Sequence, residues 1–330
     1  MAQLTVLVCG ATGRFAALTD VLIGRGHRVL AGTRRPDSAA AQRLRTRGAR
    51  IVRVDFDDAV TLRRWAARAD AIVAAGTAHA AGPAADVRHG RTIVDAAAAT
   101  GLAHLIYVSV AGAEQRTGVP ILDSKHEVEQ YLRGTDVPHT IVAPVYFMDN
   151  LWNPWNAAAL AAARLPSPVS PSRPLQQVPI TDMLDFTAHV LQTAQPSGQR
   201  IEIASDEVTA EHAAEVVSQL TGRPVAVADP PAKQPNPLFT WLEHVGSTVS
   251  IPHYGSATPT SAGTPSPTGP ARRTGVHISA DAQPGMRDRQ LDAAVGPGRL
   301  VGYVRADGSE TRGAPTGRGD AGERHVRRAA

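Results

Sequence analysis

Short apolar runs alternate with longer, alanine-rich amphipathic stretches through the first 145 residues of the chain. The apolar runs are rich in β-branched residues and nearly continuous, which is typical of parallel strands covered on both faces. The predicted strands are residues 4–9, 28–32, 51–54, 71–75, 105–110 and 140–143, and the predicted helices lie near residues 14–25, 37–47, 58–68, 83–100 and 123–134. Strands and helices alternating at this spacing predict an α/β fold with a doubly wound parallel sheet of the Rossmann type.

The pattern changes character after residue 150, where we place the end of the first domain. The elements predicted beyond it are a helix at 157–164, a proline-rich loop at 166–174, a strand at 177–180, a helix from 181, a strand at 200–204, a helix at 210–220 and a strand at 225–228. We interpret residues 151–252 as a second, smaller α/β lobe packed on the first.

All periodicity stops near residue 253. Residues 253–330 hold 13 glycines, 7 prolines and no lysine, a composition typical of disordered segments, so we predict a low-complexity, disordered tail. A second hypothesis is that the tail is read out of frame, because arginine far outnumbers lysine and the gene is therefore expected to be GC-rich. Codons can be chosen so that another frame encodes spaced aromatic residues. Both interpretations stay open.

Composition and charge exclude several classes of protein. With 43% hydrophobic and 19% charged residues the chain has a globular composition, and its single cysteine, Cys9, excludes a disulfide framework. No apolar run approaches the roughly 18 to 20 residues that a membrane helix needs, and the N-terminus has no basic region or cleavage site of a secretory signal. We therefore expect a cytoplasmic protein with no membrane partner.

The net charge of +4 does not indicate a nucleic-acid partner. Residues 253–330 carry 11 arginines and 7 acidic residues, which accounts for the whole net charge and leaves residues 1–252 neutral. A neutral body does not attract a polyanion, so we predict no nucleic-acid binding.

The segment VCGATGRFA, residues 8–16, carries the strongest functional signal. It leaves the first predicted strand and begins the first predicted helix, where Gly10 permits a tight turn and Gly13 lets the backbone approach a pyrophosphate. Ala16 fits the third small position, and the helix N-terminus presents N–H groups to phosphates. The predicted cofactor contacts in this loop are Gly10, Thr12, Gly13, Arg14 and Phe15. The alternative is a tight turn without a ligand.

The end of the second strand distinguishes the two nicotinamide cofactors. NAD sites place an acid there for the ribose hydroxyls, whereas NADP sites offer arginine for the 2′-phosphate. Here Arg34 and Arg35 follow the strand, and residues 30–35 contain no acid, so we predict NADP, with NAD less favoured. Asp55 and Phe56, after the third strand, are predicted to flank the adenine.

Together these residues resemble the NmrA-like family, a branch of the atypical short-chain dehydrogenase/reductase superfamily. The matching segments are GATGRFA at 10–16, TRRP at 33–36, YVSVAGAE at 107–114, SKHEVEQYL at 124–132, APVYFMDNL at 143–151, GQRIEIASDEVT at 198–209 and WLEHVG at 241–246. The resemblance covers about residues 3–252. It implies a dinucleotide-binding domain and a smaller substrate lobe, with the nicotinamide between them.

The resemblance also implies catalytic residues. The wider superfamily uses Ser, Tyr and Lys, with Tyr four residues before Lys; Ser109 and Lys125 match, but Ile121 stands where the tyrosine is expected. A phenol beside a lysine donates the proton in such sites, and isoleucine cannot. Either Lys125 acts by itself, or it anchors the ribose of the cofactor, or catalysis is weak or absent. The family also implies that Pro144 and Tyr146 lie along the nicotinamide, with Tyr146 shaping a flat apolar site; interlobe core packing is the alternative.

Two other chemistries are disfavoured. The histidines are scattered without metal-ligand spacing, so we predict no metal site. No Gly-x-Ser-x-Gly motif is present, which argues against hydrolase chemistry. We therefore predict a small-molecule substrate and hydride transfer from NADPH to an apolar acceptor such as a quinone or enone. The alternative is a redox-sensing regulator that binds NADP without turnover, and a third hypothesis is the non-functional product of a damaged gene.

Overall fold

The structure is a computed structural model, and it describes residues 2–77, 81–193, 196–228, 236–245, 276–279 and 302–306. Its helices are α1 (Ala16–Gly24), α2 (Ala39–Thr46), α3 (Ala59–Ala66), α4 (Pro83–Thr100), α5 (Pro120–Arg133), α6 (Ala157–Ala161), α7 (Ile180–Thr193), α8 (Ala210–Thr221) and α9 (Pro237–Val245). Its strands are β1 (Thr5–Cys9), β2 (Arg28–Thr33), β3 (Arg50–Arg53), β4 (Ala71–Ala75), β5 (His104–Val108), β6 (His139–Pro144), β7 (Tyr146–Phe147), β8 (Arg164–Leu165), β9 (Leu175–Val178), β10 (Arg200–Ala204), β11 (Asp206–Val208), β12 (Ala226–Val227), β13 (Val276–Ser279) and β14 (Gly302–Ala306). Short 3₁₀ turns cover Ala113–Gln115, Met148–Trp152 and Pro154–Asn156.

The main sheet is the doubly wound parallel sheet that the sequence predicts. Seven parallel strands follow the order β3-β2-β1-β4-β5-β6-β10, and β14 pairs antiparallel with the outer edge of β10 and parallel with β13. The strand order reverses between β1 and β4, and the crevice at such a reversal is where open α/β sheets bind ligands.

Local sequence explains where several helices begin. Ser38 accepts a hydrogen bond from the Ala41 N–H at the start of α2, and Asp58 does the same for Val60 and Thr61 at the start of α3. Helix α4 begins at Pro83, where the missing N–H costs nothing, and ends before Gly101, whose φ of 60° is left-handed.

Two apolar layers cover the sheet. One face packs against α1 and α7, through residues such as Leu18, Leu22 and Leu184, and the other packs against α3, α4 and α5, through Leu62, Ile93 and Leu132. Cys9 is buried in the second layer, and burial raises the pKa of its thiol to about 12. This cysteine is therefore a core residue.

The smaller lobe has two short sheets, β11-β9-β7 and β12-β8, with α8 and α9. The strand predicted at 200–204 lies at those residues, but its assignment to this lobe is wrong, because β10 pairs with β6 of the main sheet. Helix α7 also returns to the main sheet and packs on α1. The division of the chain at residue 150 remains a prediction. Of the predicted tail, the structure describes only β13 and β14, and the rest lies outside the described residues.

Candidate functional site

The candidate site lies at the carboxyl ends of the parallel strands, where the glycine loop leaves β1. Gly10 has a φ of +71°, the left-handed region that glycine adopts without strain, and the Gly13 N–H donates to the Gly10 carbonyl at 3.0 Å. A Cβ built on Gly10 would meet nothing within 4 Å. Open space therefore faces the loop just before α1.

The other loop residues have different surroundings. The Thr12 hydroxyl lies 3.2 Å from the Thr33 hydroxyl at the end of β2, so the loop is fixed against the neighbouring strand. The Phe15 side chain is buried in the sheet core, which leaves only its backbone for a ligand. Arg14 is exposed and points across the crevice, as described below.

The residues that follow β2 and β3 lie on the same side of the strand-order reversal as the glycine loop after β1. Arg34 and Arg35 are exposed, and neither guanidinium pairs with a carboxylate among the residues that the structure describes. Asp55 is tied into the start of α3, because its N–H donates to the Thr61 hydroxyl at 3.2 Å. Phe56 is half-buried and lies 5.6 Å from the His89 ring.

Lys125 is held in a buried ion pair. Its Nζ lies 2.5 Å from Asp86 Oδ2, and Asp86, which is fully buried, also accepts from the Ser124 hydroxyl at 2.9 Å. Burial lowers the pKa of Lys125, and the nearby carboxylate opposes that shift without cancelling it. A Cβ added to Gly76, directly after β4, would overlap both charged side chains, so a larger residue there would force this ion pair to shift.

Ser109, at the end of β5, belongs to a second buried network. Its hydroxyl donates to Glu129, which also pairs with Arg200 at 3.1 Å. Arg200 further pairs with Glu114 and Glu202, both at 2.7 Å, so three carboxylates surround one guanidinium. The network ties the loop after β5 to the outer strand β10.

Arg14 reaches across the crevice to the segment that follows β6. Both Arg14 Nη atoms donate to Asn150 Oδ1, at 3.3 and 3.2 Å, and the guanidinium lies 5.6 Å from the Phe147 ring centre. Burial raises the pKa of Tyr146, against opposing effects of a hydrogen bond with Asn150 and the charge of Arg14. The glycine loop is thereby joined to the segment that follows β6, where Pro144 is buried in the sheet.

Several residues of this site were not singled out from the sequence: Thr77, Asp86, His89, Glu129, Arg200 and Glu202. One signal was available, because Glu129 stands four residues after Lys125 and therefore shares its helix face. The partner of Lys125, Asp86, is 39 residues away and no local pattern joins them. Ile121 stands one turn before Lys125 in α5, so no phenol occupies that position.

The residues fit a dinucleotide. The space beside Gly10, the α1 N-terminus and the two exposed arginines together offer backbone N–H groups and positive charge to phosphates. Among the described residues no group of three or more His, Cys, Asp or Glu side chains is arranged to hold a metal ion.

Comparison with known proteins agrees with this architecture. The model of the NmrA-like family matches residues 2–238. A curated relative, the NmrA-like family domain-containing oxidoreductase FrzB of Cladobotryum sp., is 30% identical over 159 residues, which are 44% of this chain and 47% of the relative. The matched part therefore spans about half the length of that relative.

Two solved structures are similar at low identity. An NADPH-dependent quinone oxidoreductase from Escherichia coli, complexed with NADPH, has a TM-score of 0.61 at 19% identity, over 72% of this chain and 86% of that one. NmrA, a negative transcriptional regulator in complex with NAD, has a TM-score of 0.61 at 20% identity, over 74% and 82%. These similarities show a shared fold. Within the described residues, no helix has the length and apolar character to cross a bilayer.

Proposed function

The chain belongs to the NmrA-like family, and from this premise we propose that it is an NADPH-dependent oxidoreductase that reduces a small apolar acceptor such as a quinone or an enone. The observation that carries the proposal is the open glycine loop at the strand-order reversal, with Arg34 and Arg35 exposed beside it. We infer NADP rather than NAD because these guanidiniums suit a 2′-phosphate and no acid stands among residues 30–35, at the end of β2.

Specific groups of the chain would hold the dinucleotide. Backbone N–H groups of the glycine loop and of the α1 N-terminus would hold the pyrophosphate, and the Arg34 and Arg35 guanidiniums would hold the extra phosphate. Phe56 supplies an apolar surface for the adenine. When bound, the reduced nicotinamide supplies the hydride.

The apolar surroundings of Tyr146 favour an apolar acceptor. Tyr146 packs against a small buried cluster of Val169, Leu175 and Leu242, against which Leu238, Phe239 and Trp241 also pack. Trp152 and Trp155, on the turns that follow Asn150, expose 73% and 74% of their surface. We infer that these rings orient a flat acceptor and exclude water from the reacting face. The quinone oxidoreductase of similar fold is consistent with this class of acceptor.

An enzyme mechanism must also supply a proton to the reduced acceptor. The Ser109 hydroxyl donates a hydrogen bond to Glu129, and Lys125 forms an ion pair with Asp86. Both polar side chains that match the superfamily are therefore bonded to buried carboxylates of the chain itself. A quinone has limited need of a strong acid, because its reduced form is a stable phenolate that solvent can protonate. We therefore favour a quinone, and assign Ser109 and Lys125 to positioning rather than to proton donation.

The bonding of Ser109 and Lys125 to buried carboxylates favours a second candidate function, a regulator that senses the redox state of its cofactor without turnover. Such a protein needs different affinities for NADP and NADPH, because a ligand shifts an equilibrium only by its differential binding. Equal dissociation constants for the two forms would argue against sensing.

One experiment separates the two functions. Purified chain is mixed with NADPH and a panel of quinones and enones, and the loss of NADPH absorbance is followed against parallel reactions with NADH. The oxidoreductase proposal expects turnover that is faster with NADPH. Tight NADPH binding with no oxidation by any acceptor would contradict it and leave the regulator.

A further inference from the structure

Three side chains form a hydrogen-bonded chain beside the glycine loop. Asp57 Oδ1 lies 3.0 Å from His89 Nε2, and His89 Nδ1 lies 2.8 Å from the Thr77 hydroxyl. The His89 side chain is only 7% exposed, whereas Asp57 lies at the surface, where Arg88 also holds it at 2.9 Å. The three residues come from three separate segments, so the alignment is a tertiary feature.

The direction of these hydrogen bonds follows from Asp57. Hydrogen bonds from Arg88 and His89 lower the pKa of Asp57, so it is a carboxylate and only accepts. His89 Nε2 must then carry the proton. In a neutral imidazole the other nitrogen is an acceptor, so Nδ1 receives the Thr77 O–H. The Thr77 oxygen is left with lone pairs only.

Thr77 lies at the carboxyl end of β4, in the crevice where open α/β sheets bind ligands. It follows Gly76 at the end of β4, next to β1 in the sheet and therefore across the reversal from the Gly10 loop. Its N–H donates to Asp86, which fixes the backbone, and its side chain is half-buried. Phe56, 5.6 Å from the His89 ring, places the chain on the side assigned above to the adenosine.

We propose that Asp57 and His89 act as positioning residues that orient Thr77 as a hydrogen-bond acceptor for the 3′-hydroxyl of the adenosine ribose. This inference rests on the proposed function, because it needs a bound dinucleotide. A lone-pair-only hydroxyl recognises a donor, and phosphate oxygens offer none. In NADP the 2′-position carries phosphate, so the 3′-hydroxyl is the donor that remains on that ribose.

The test compares ADP with 3′-deoxy-ADP and 2′-deoxy-ADP at pH 8. Dissociation constants are measured by calorimetry or by displacement of NADPH. We expect 3′-deoxy-ADP to bind the unmodified chain about fivefold more weakly than ADP, the effect of one neutral hydrogen bond. The 2′-deoxy compound should bind like ADP.

Variants identify the residues responsible. Thr77→Val, which keeps the shape of the side chain, should bind ADP and 3′-deoxy-ADP equally, and Thr77→Ser should restore the difference. In Asp57→Asn the side chain can either donate to or accept from His89 Nε2, so it no longer fixes which imidazole nitrogen carries the proton. The Thr77 hydroxyl loses its fixed orientation, and the difference between ADP and 3′-deoxy-ADP should shrink. Asp58→Asn is the matched control, since Asp58 caps α3 and Asn also caps well, and it should keep the full difference.

The outcomes separate the two proposals. If the unmodified chain binds ADP and 3′-deoxy-ADP equally, or if the difference survives in Thr77→Val, the inference about Thr77 is wrong while the nucleotide site stands. A loss seen with 2′-deoxy-ADP alone also overturns it. If neither NADPH nor ADP binds, the proposed function fails and this inference fails with it.

Discussion

The two sides of the crevice satisfy their charges in opposite ways. On the glycine-loop side, which comprises residues 10–14, 34 and 35, the cationic groups are exposed, and Arg34 and Arg35 pair with no described carboxylate. On the buried-ion side, which comprises Asp86, Lys125, Glu129, Arg200 and Glu202, every one of these charged groups is at least nine-tenths buried and has a charged partner.

This difference separates affinity from architecture. Exposed, unpaired arginines keep most of their hydration in the folded protein and can bind a phosphate, so they contribute to ligand binding. The members of a buried ion pair lose their hydration on folding and interact with each other instead. Removing one member therefore leaves a buried charge without a partner. We therefore expect mutations on the glycine-loop side to change cofactor affinity and those on the buried-ion side to change stability.

The largest effect should come from Arg200→Met. Three carboxylates would lose their shared cation, and breaking a buried pair in this way costs about 3–5 kcal/mol of unfolding free energy. Denaturant unfolding measures the change. Arg47→Met is the control, because Arg47 forms an exposed pair with Asp20 and should cost about 0–1 kcal/mol. Similar losses in the two variants would contradict the comparison.

Two glycine substitutions should separate the sides more finely. Gly76→Ala adds a methyl group that overlaps Lys125 and Asp86, and we expect it to lower the unfolding free energy by about 1–3 kcal/mol. In Gly13→Ala the new Cβ makes only an ordinary 3.4 Å contact with the Gly10 carbonyl, so its stability should be nearly unchanged. Its NADPH affinity should nevertheless fall, because the methyl group occupies space beside the pyrophosphate. A stable Gly76→Ala variant would show that the buried pair is not tightly fixed.

The smallest effect should come from Arg34→Ala and Arg35→Ala. Each removes one charge-assisted contact, so NADPH should bind about tenfold more weakly, while NADH binding and thermal stability change little. Fluorescence titration with both cofactors measures this selectivity. An equal loss for NADH would show that the arginines do not recognise the 2′-phosphate.

Much of the main sheet could be predicted from local sequence. The strand at 71–75 and the helix at 83–100 lie at the predicted residues, because continuous apolar runs and a glycine–proline start are local signals. The strand at 200–204 was also predicted at the right residues, but it was assigned to the wrong sheet. An apolar run does not show which strand it pairs with. Strand β12 lies within the strand predicted at 225–228, but the short strands β7, β8 and β11 were missed, because two or three residues carry little periodicity. Helix α9 was also missed.

The candidate site divides in the same way. The glycine loop and the arginines after β2 are contiguous motifs, and the sequence alone suggested them. The surroundings of Lys125 depend on Asp86, and those of Ser109 depend on Glu129 and Arg200, which come from distant parts of the chain. A buried charge requires a partner, but only the tertiary structure identifies it.

The central claim is that the crevice beside Gly10 binds a pyridine dinucleotide, and calorimetric titration of the unmodified chain with NADPH tests it most directly. We expect one NADPH per chain, a melting temperature that rises with NADPH concentration, and weaker binding to the stable Gly13→Ala variant. A folded chain that binds neither NADPH nor NADH at millimolar concentration, or a Gly13→Ala variant with unchanged affinity, would contradict it.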